Sequence, residues 1–224
     1  VDDYAYKTGA PISEDHLWGP RDYFKGDYYK NTVCHFASET GYHGCPSPES
    51  LKKYIDEDHL WPCLGDKQWL VHAATMDGTV NHPYGYRIRL MWNQVETLFG
   101  KENKATADLE TFSKASQISQ AEAKKYFIER MRVARPEKTG IIWWNLLDGW
   151  PQMSDAVVDY YFNKKLAYSY IKRSQAPFAV CADELNNWKL DLYACNDTLE
   201  TKQGNLTVKD ALSDEIICQC KFSA

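Results

Sequence analysis

The chain has 224 residues, 44% of them hydrophobic and 14% aromatic, and a formal charge of −5. That is enough apolar mass for a packed core, in one large domain or two smaller ones, while Lys and Arg are scattered without the basic stripe a nucleic-acid partner requires. No run approaches the roughly 18 consecutive apolar residues of a membrane span, so neither nucleic acid nor membrane is an expected partner.

The opening stretch "VDDYAYKTG" lacks the charged-then-apolar pattern of a leader. The seven cysteines are irregularly spaced, which suits reduced thiols better than a disulfide framework. A cytoplasmic location is the expectation, one that an upstream segment would change. Among the first predicted elements, "NTVCHFASE" (31–39) reads as a buried strand, halted by Pro46 and Pro48 before a helix over 48–57. A second helix is predicted over 86–100, closed by Gly100, and a third over 111–135, where Ala123, Phe127, Met131 and Ala134 form one apolar stripe. Pro136 and Gly140 end it. "GIIWWNLL" (140–147) then reads as a near-continuously apolar strand of the kind covered on both faces, and a last helix is predicted over 159–174.

Strands alternating with helices imply an α/β fold with a parallel sheet. Past Pro177 the texture changes to short alternating runs punctuated by Asn-Asn, Asn-Asp and Gly-Asn, the pattern of an antiparallel sandwich. The expected organisation is therefore an α/β domain over 1–175 and a sandwich over 176–224. The latter holds about half of the ~100 residues an immunoglobulin-like sandwich needs. In it Cys218 and Cys220 alternate onto one strand face, read as a half-buried pair of small side chains. No second pair at zinc-ligand spacing accompanies them, and no metal is expected.

Glu39 closes a predicted parallel strand and enters a loop, the place where α/β barrels put catalytic groups. A solvated loop glutamate would be the plainer reading if it stood alone. Three segments go with it: "DHLWGPRDYFKG" (15–26), "FASETGYHGCPSPESLKKY" (36–54) and "GIIWWNLLDGWPQMSDAVVDYYFNKKLAYSYIKR" (140–173). In order and spacing these resemble the β-mannosidase-like branch of glycoside hydrolase family 2. That family carries H-x-W at barrel strand six, S-E-x-G-x-x-x-x-P at strand seven and W-x-L-x-D-x-W-P-x-x-S near strand eight. The resemblance covers about residues 12–175, weakly over 61–114, and the Asn196–Glu200 stretch looks like the sandwich domain that follows the barrel.

The resemblance implies the C-terminal portion of a (β/α)8 TIM barrel, about strands six to eight, followed by a partial immunoglobulin-like β-sandwich. It implies that Glu39 is the nucleophile of a retaining exo-β-glycosidase that takes a β-linked oligosaccharide or glycoside and needs no cofactor. In such an enzyme an ionised carboxylate attacks the anomeric carbon to give a glycosyl ester that water then hydrolyses. On this reading Gly41 and Gly44 let the loop bend and leave space for the sugar. Trp144 matches the indole that floors the sugar subsite, with Trp143 turned the other way into the core. Trp18 and His43 join Trp144 as candidate substrate-binding residues. Tyr28 or Tyr42 could orient the nucleophile, and His16 is either a wall residue or a strand-end polar group. His35 reads as a satisfied core histidine and Asp148 as a turn-capping residue.

A retaining enzyme also needs an acid/base carboxyl about 5 to 5.5 Å from the nucleophile. The family carries it in an Asn-Glu pair at strand four. This sequence has no Asn-Glu dipeptide, so the expectation is a nucleophile-bearing part with little or no turnover by itself. Three strands cannot close a barrel and would leave an edge and apolar faces open, which a homo-oligomer would cover. β-Galactosidase and exo-β-glucosaminidase activities of the same family remain alternatives, as does a non-catalytic carbohydrate-binding module.

Overall fold

The computed structural model describes residues 10–21, 23–73 and 87–224; residues 1–9 and residue 86, the first of the predicted second helix, lie outside them. Three strands, β1 (Ile12–Leu17), β2 (Cys34–Gly41) and β3 (Gly140–Trp144), form one parallel sheet in the order β1-β2-β3. Short helices α1 (Asp27–Lys30), α2 (Pro48–Leu51) and α3 (Lys67–His72) follow β1 and β2. The longer α4 (Arg87–Phe99) and α5 (Leu109–Val133) come before β3, and α6 (Leu166–Ser174) after it.

Burial alternates along the strands because helices cover one side of the sheet only. On that side Asp15, Leu17, Ala37 and Thr40 are buried, and Phe127 and Met131 of the α5 stripe pack in one cluster with Leu17, Ala37 and Tyr42. A second cluster joins Ile128 of α5 to Ala167 and Ile171 of α6, with Trp143 against it. On the other side Ile142 is 57% and Trp144 49% exposed. The expectation that β3 is covered on both faces is thus corrected: no element of the described chain lies over Ile142 and Trp144.

Two predicted helices are shorter than their patterns. Over 48–57 only Pro48–Leu51 is α-helical, a turn that the Ser47 side chain caps by accepting from the Ser50 N–H. Over 159–174 the helix waits until Leu166, because Asp159 Oδ1 accepts from the N–H groups of Tyr161 and Asn163 and folds those residues into a turn. By contrast α5 runs its full 25 residues from the Asp108 cap and stops before Arg135-Pro136, as a proline requires.

Past Pro177 come two antiparallel pairs, β4 (Phe178–Ala182) with β5 (Leu192–Asn196) and β6 (Gln203–Lys209) with β7 (Ile216–Ser223). Arg132 of α5 donates to the Ser174 and Cys195 carbonyls and pairs with Asp197 at 3.1 Å, tying β5 to the helix. Cys218 and Cys220 are exposed rather than half-buried, since no described element covers that part of β7.

Candidate active site

Glu39 is brought to the open face of the sheet by an irregularity in β2. Simple alternation would place it on the same side as Ala37, against the helices. Instead Asp15 pairs with Ala37 and His16 with Glu39, so Ser38 is an extra residue; the same step recurs against β3, where Ala37 pairs with Ile141 and Thr40 with Trp143. A bulge of this kind re-aims the side chains that follow it. Thr40 then takes the buried position and Glu39 turns outward beside His16, its side chain 26% exposed.

The carboxylate is held from β1. The Trp18 indole N–H donates to Glu39 Oε2 at 2.8 Å, and His16 Nδ1 lies 3.1 Å from the same oxygen. Both partners thus converge on Oε2. Trp144 ends β3 level with Gly41, its side chain on the open face, while Trp143 packs into the core. The Trp144–Asn145 peptide is cis.

His43 lies elsewhere. It is 1% exposed, in a loop whose residues from Tyr42 to Pro46 are all buried, and its Nε2 is 3.7 Å from Asp155 Oδ2. A ring so enclosed cannot meet a sugar at the open face, which overturns its expected placement. The loop turns inward because Lys165, itself buried, donates to the Gly44 carbonyl at 2.7 Å and Gly44 N–H donates to Ser154. The space at both glycines is already filled. A Cβ at Gly41 would lie 2.5 Å from the Trp18 ring and 2.7 Å from Asp155 Oδ1, and one at Gly44 would strike the Gln120 amide.

Tyr42 is packed against Phe24 and Phe127 in the core, and Tyr28 against Tyr29. His35 is partnered, 2.6 Å from the Glu137 carbonyl, but exposed rather than in the core. Asp148 is buried and accepts from Ser154 Oγ at 2.6 Å, the structural part read for it.

Behind the site sits a set of buried charges that the motifs do not announce: Asp155, Lys124 and Lys165, with Arg21 at its edge. Burial alone would push the Asp155 carboxyl up, but His43, Lys124, Arg21 and Arg87 around it hold it below the ordinary carboxylate value. Burial drives the His43 imidazole down to about 3 against the pull of Asp155, with Arg21 adding to the effect, so the ring is neutral at neutral pH. Lys124 is pushed down to about 7, again by burial. Its ammonium donates to the Trp144 carbonyl and lies 5.6 Å from the Trp143 ring. In sequence Lys124 is one charge beside another, Lys125, within an amphipathic helix, and nothing in the pattern marks it as the buried one. Among the described residues no group of three or more His, Cys, Asp or Glu is placed to hold a metal ion.

In sequence the chain is similar to glycosidases of the β-mannosidase and exo-β-glucosaminidase type, the resemblance that its three motifs carry. β-Mannosidase B of Thermothelomyces thermophilus is 27% identical over 184 residues, 76% of this chain and 20% of that protein. β-Mannosidase A of Aspergillus clavatus is 26% identical over 92% of this chain and 24% of its own length, and an exo-β-D-glucosaminidase of Arthroderma benhamiae is 28% identical over 72% and 18%. In fold, 95% of the chain matches a quarter (25%) of the β-D-mannosidase from Dictyoglomus thermophilum with a TM-score of 0.75 at 24% identity. The exo-chitosanase of Amycolatopsis orientalis matches at 0.61 and 19% over 95% of this chain and 25% of its own. No protein-family model matches the chain. The chain therefore spans about a fifth to a quarter of the curated relatives it matches.

Proposed function

We propose that this chain supplies the nucleophile half of a retaining exo-β-glycosidase active site, with Glu39 as the nucleophile and a β-mannoside as substrate. The observation that carries the reading is the capture of one carboxylate oxygen. With Oε2 engaged by Trp18 and His16, Glu39 is fixed in rotamer and Oε1 is left to meet an anomeric carbon over the open face. The aromatic face of Trp144 suits the C–H patch of a sugar ring there. In this reading residues 1–175, with the three parallel strands, are the C-terminal part of an α/β barrel, the antiparallel pairs at 176–224 begin an immunoglobulin-like sandwich, and the acid/base carboxyl comes from outside this chain. The chain by itself then has little turnover.

Similarity to exo-β-glucosaminidases keeps that activity as the second reading. The mannosidase reading is tested by incubating the full-length protein with a 2-deoxy-2-fluoro-β-mannosyl fluoride, which leaves the glycosyl ester trapped, followed by peptide mass spectrometry. The expected result is a fluoromannosyl mass on the Glu39 peptide that is absent from Glu39→Gln. Label on any other carboxylate removes Glu39 from the role. No label from the mannosyl, galactosyl or glucosyl analogues points to a binding module.

A further inference from the structure

Behind the Trp18 indole the contacts continue inward to a carboxylate that none of the three motifs gives a role. We propose that Asp155 is a positioning residue for Glu39, acting through Arg21 and Trp18. The inference rests on the glycosidase reading of Glu39 given above.

The path is short and each link is geometric. Asp155 Oδ1 lies 3.7 Å from Arg21 Nη1, with side chains only 8% and 11% exposed. The Arg21 guanidinium lies 5.0 Å from the Trp18 ring centroid, and the Trp18 N–H reaches Glu39 Oε2 at 2.8 Å. Trp18 and Asp155 meet at Gly41, two residues beyond Glu39, where the space of the missing Cβ is bounded by both the Trp18 ring and Asp155 Oδ1. The indole is therefore held between the Arg21 guanidinium, the β2 backbone at Gly41 and the Glu39 carboxylate to which it donates.

An arginine has many rotamers and stacks on an aromatic ring only where something fixes its planar head. Among the described contacts, Gln94 of α4 donates to the Arg21 backbone carbonyl at 2.7 Å, and Asp155 Oδ1 faces its guanidinium at 3.7 Å. Asp155 is anchored in turn, since the Gln120 amide donates to its carbonyl at 3.0 Å. The loop after β3 thereby sets the angle at which Trp18 meets the nucleophile on β2. A fixed donor matters because Oε2 must stay engaged while Oε1 reacts.

The test is a double-mutant cycle in the full-length protein, reading the maximal rate of Glu39 labelling by the 2-fluoro glycosyl fluoride and the concentration for half-maximal rate. Asp155→Asn is expected to slow the maximal rate by roughly tenfold or more with little change in the half-maximal concentration, and to change it by less than about twofold in a Trp18→Phe background. A role in stability alone predicts equal loss in both backgrounds, or none, and either result overturns the proposal. Where Asp155→Asn does not fold, Arg21→Lys is run through the same cycle, because lysine keeps the charge and loses the planar stack; additive losses there break the path and overturn it equally. Wild-type protein that takes no label overturns the glycosidase reading and this inference together, whereas labelled wild type with an additive cycle overturns the inference alone.

Discussion

At the scale of single residues, the site depends on an absent side chain as much as on those present. Gly41 has no left-handed backbone requirement among the described positive-φ residues; its need is space. A methyl there would meet the Trp18 ring at 2.5 Å and Asp155 Oδ1 at 2.7 Å. Neither neighbour is the free end of a flexible chain, since Trp18 is engaged with Glu39 and Asp155 is buried among charges. Gly41→Ala should therefore lower stability by about 1–3 kcal/mol, the usual cost of overpacking, and slow Glu39 labelling by displacing the indole. Denaturant unfolding and the labelling rate check the two halves. A variant with unchanged labelling would show that the close approach of Trp18 to the strand is dispensable.

At the scale of elements, α5 does two jobs. Its apolar stripe covers the sheet, which the 3.6-residue periodicity of Ala123, Phe127 and Met131 announces in the sequence. Its Lys124 ties the end of β3 by donating to the Trp144 carbonyl, which no pattern announces, because a buried lysine looks in sequence like any solvated one. The same divide holds for β2. Its existence and its closing carboxylate are legible from the apolar run and the resemblance, but the bulge at Ser38 that turns Glu39 outward is a matter of register with two neighbours, and a single strand carries no record of its neighbours. His43 departs from its expected place for a related reason: a loop with two glycines and a histidine reads as open, while the Lys165 and Ser154 bonds that draw it inward come from more than 100 residues away. Lys124→Met separates packing from charge. The Lys124 value falls from 10.5 to about 7 on folding, so between those values the unfolded chain binds more protons and stability rises with pH. Relative to Lys124→Met, the wild type should therefore gain stability as pH is raised from 7 towards 10.5 and hold a constant difference below 7. Chemical denaturation of both proteins across that range checks this, and a difference independent of pH would mean that Lys124 is solvated.

For the whole molecule, the helix-covered side of the sheet holds not only the apolar clusters but also ionisable groups that join the loop after β2, the loop after β3 and helix α5. Their joint consequence is sensitivity to acid. His43 titrates at 6.5 when exposed and at about 3 when folded, so its contribution is complete above pH 6.5 and is lost as pH falls towards 3, where the unfolded chain takes up the proton that the folded one refuses. Asp155, held below its ordinary value of 3.8, acts in the same direction but only at lower pH. The upper part of the first window, from about pH 6.5 to pH 4, lies clear of the second. His43→Gln removes the His43 contribution, so the wild type should lose stability relative to this variant as pH falls from about 6.5 towards 3. Below about pH 4 the protonation of Asp155 adds to that loss in the wild type. Urea midpoints of both, taken from about pH 8 downwards, read the difference directly. Curves that stay parallel through the upper window would show that His43 is charged in the folded protein and paired with Asp155, and the buried set would then be an ion pair with acid stability governed by its carboxylate.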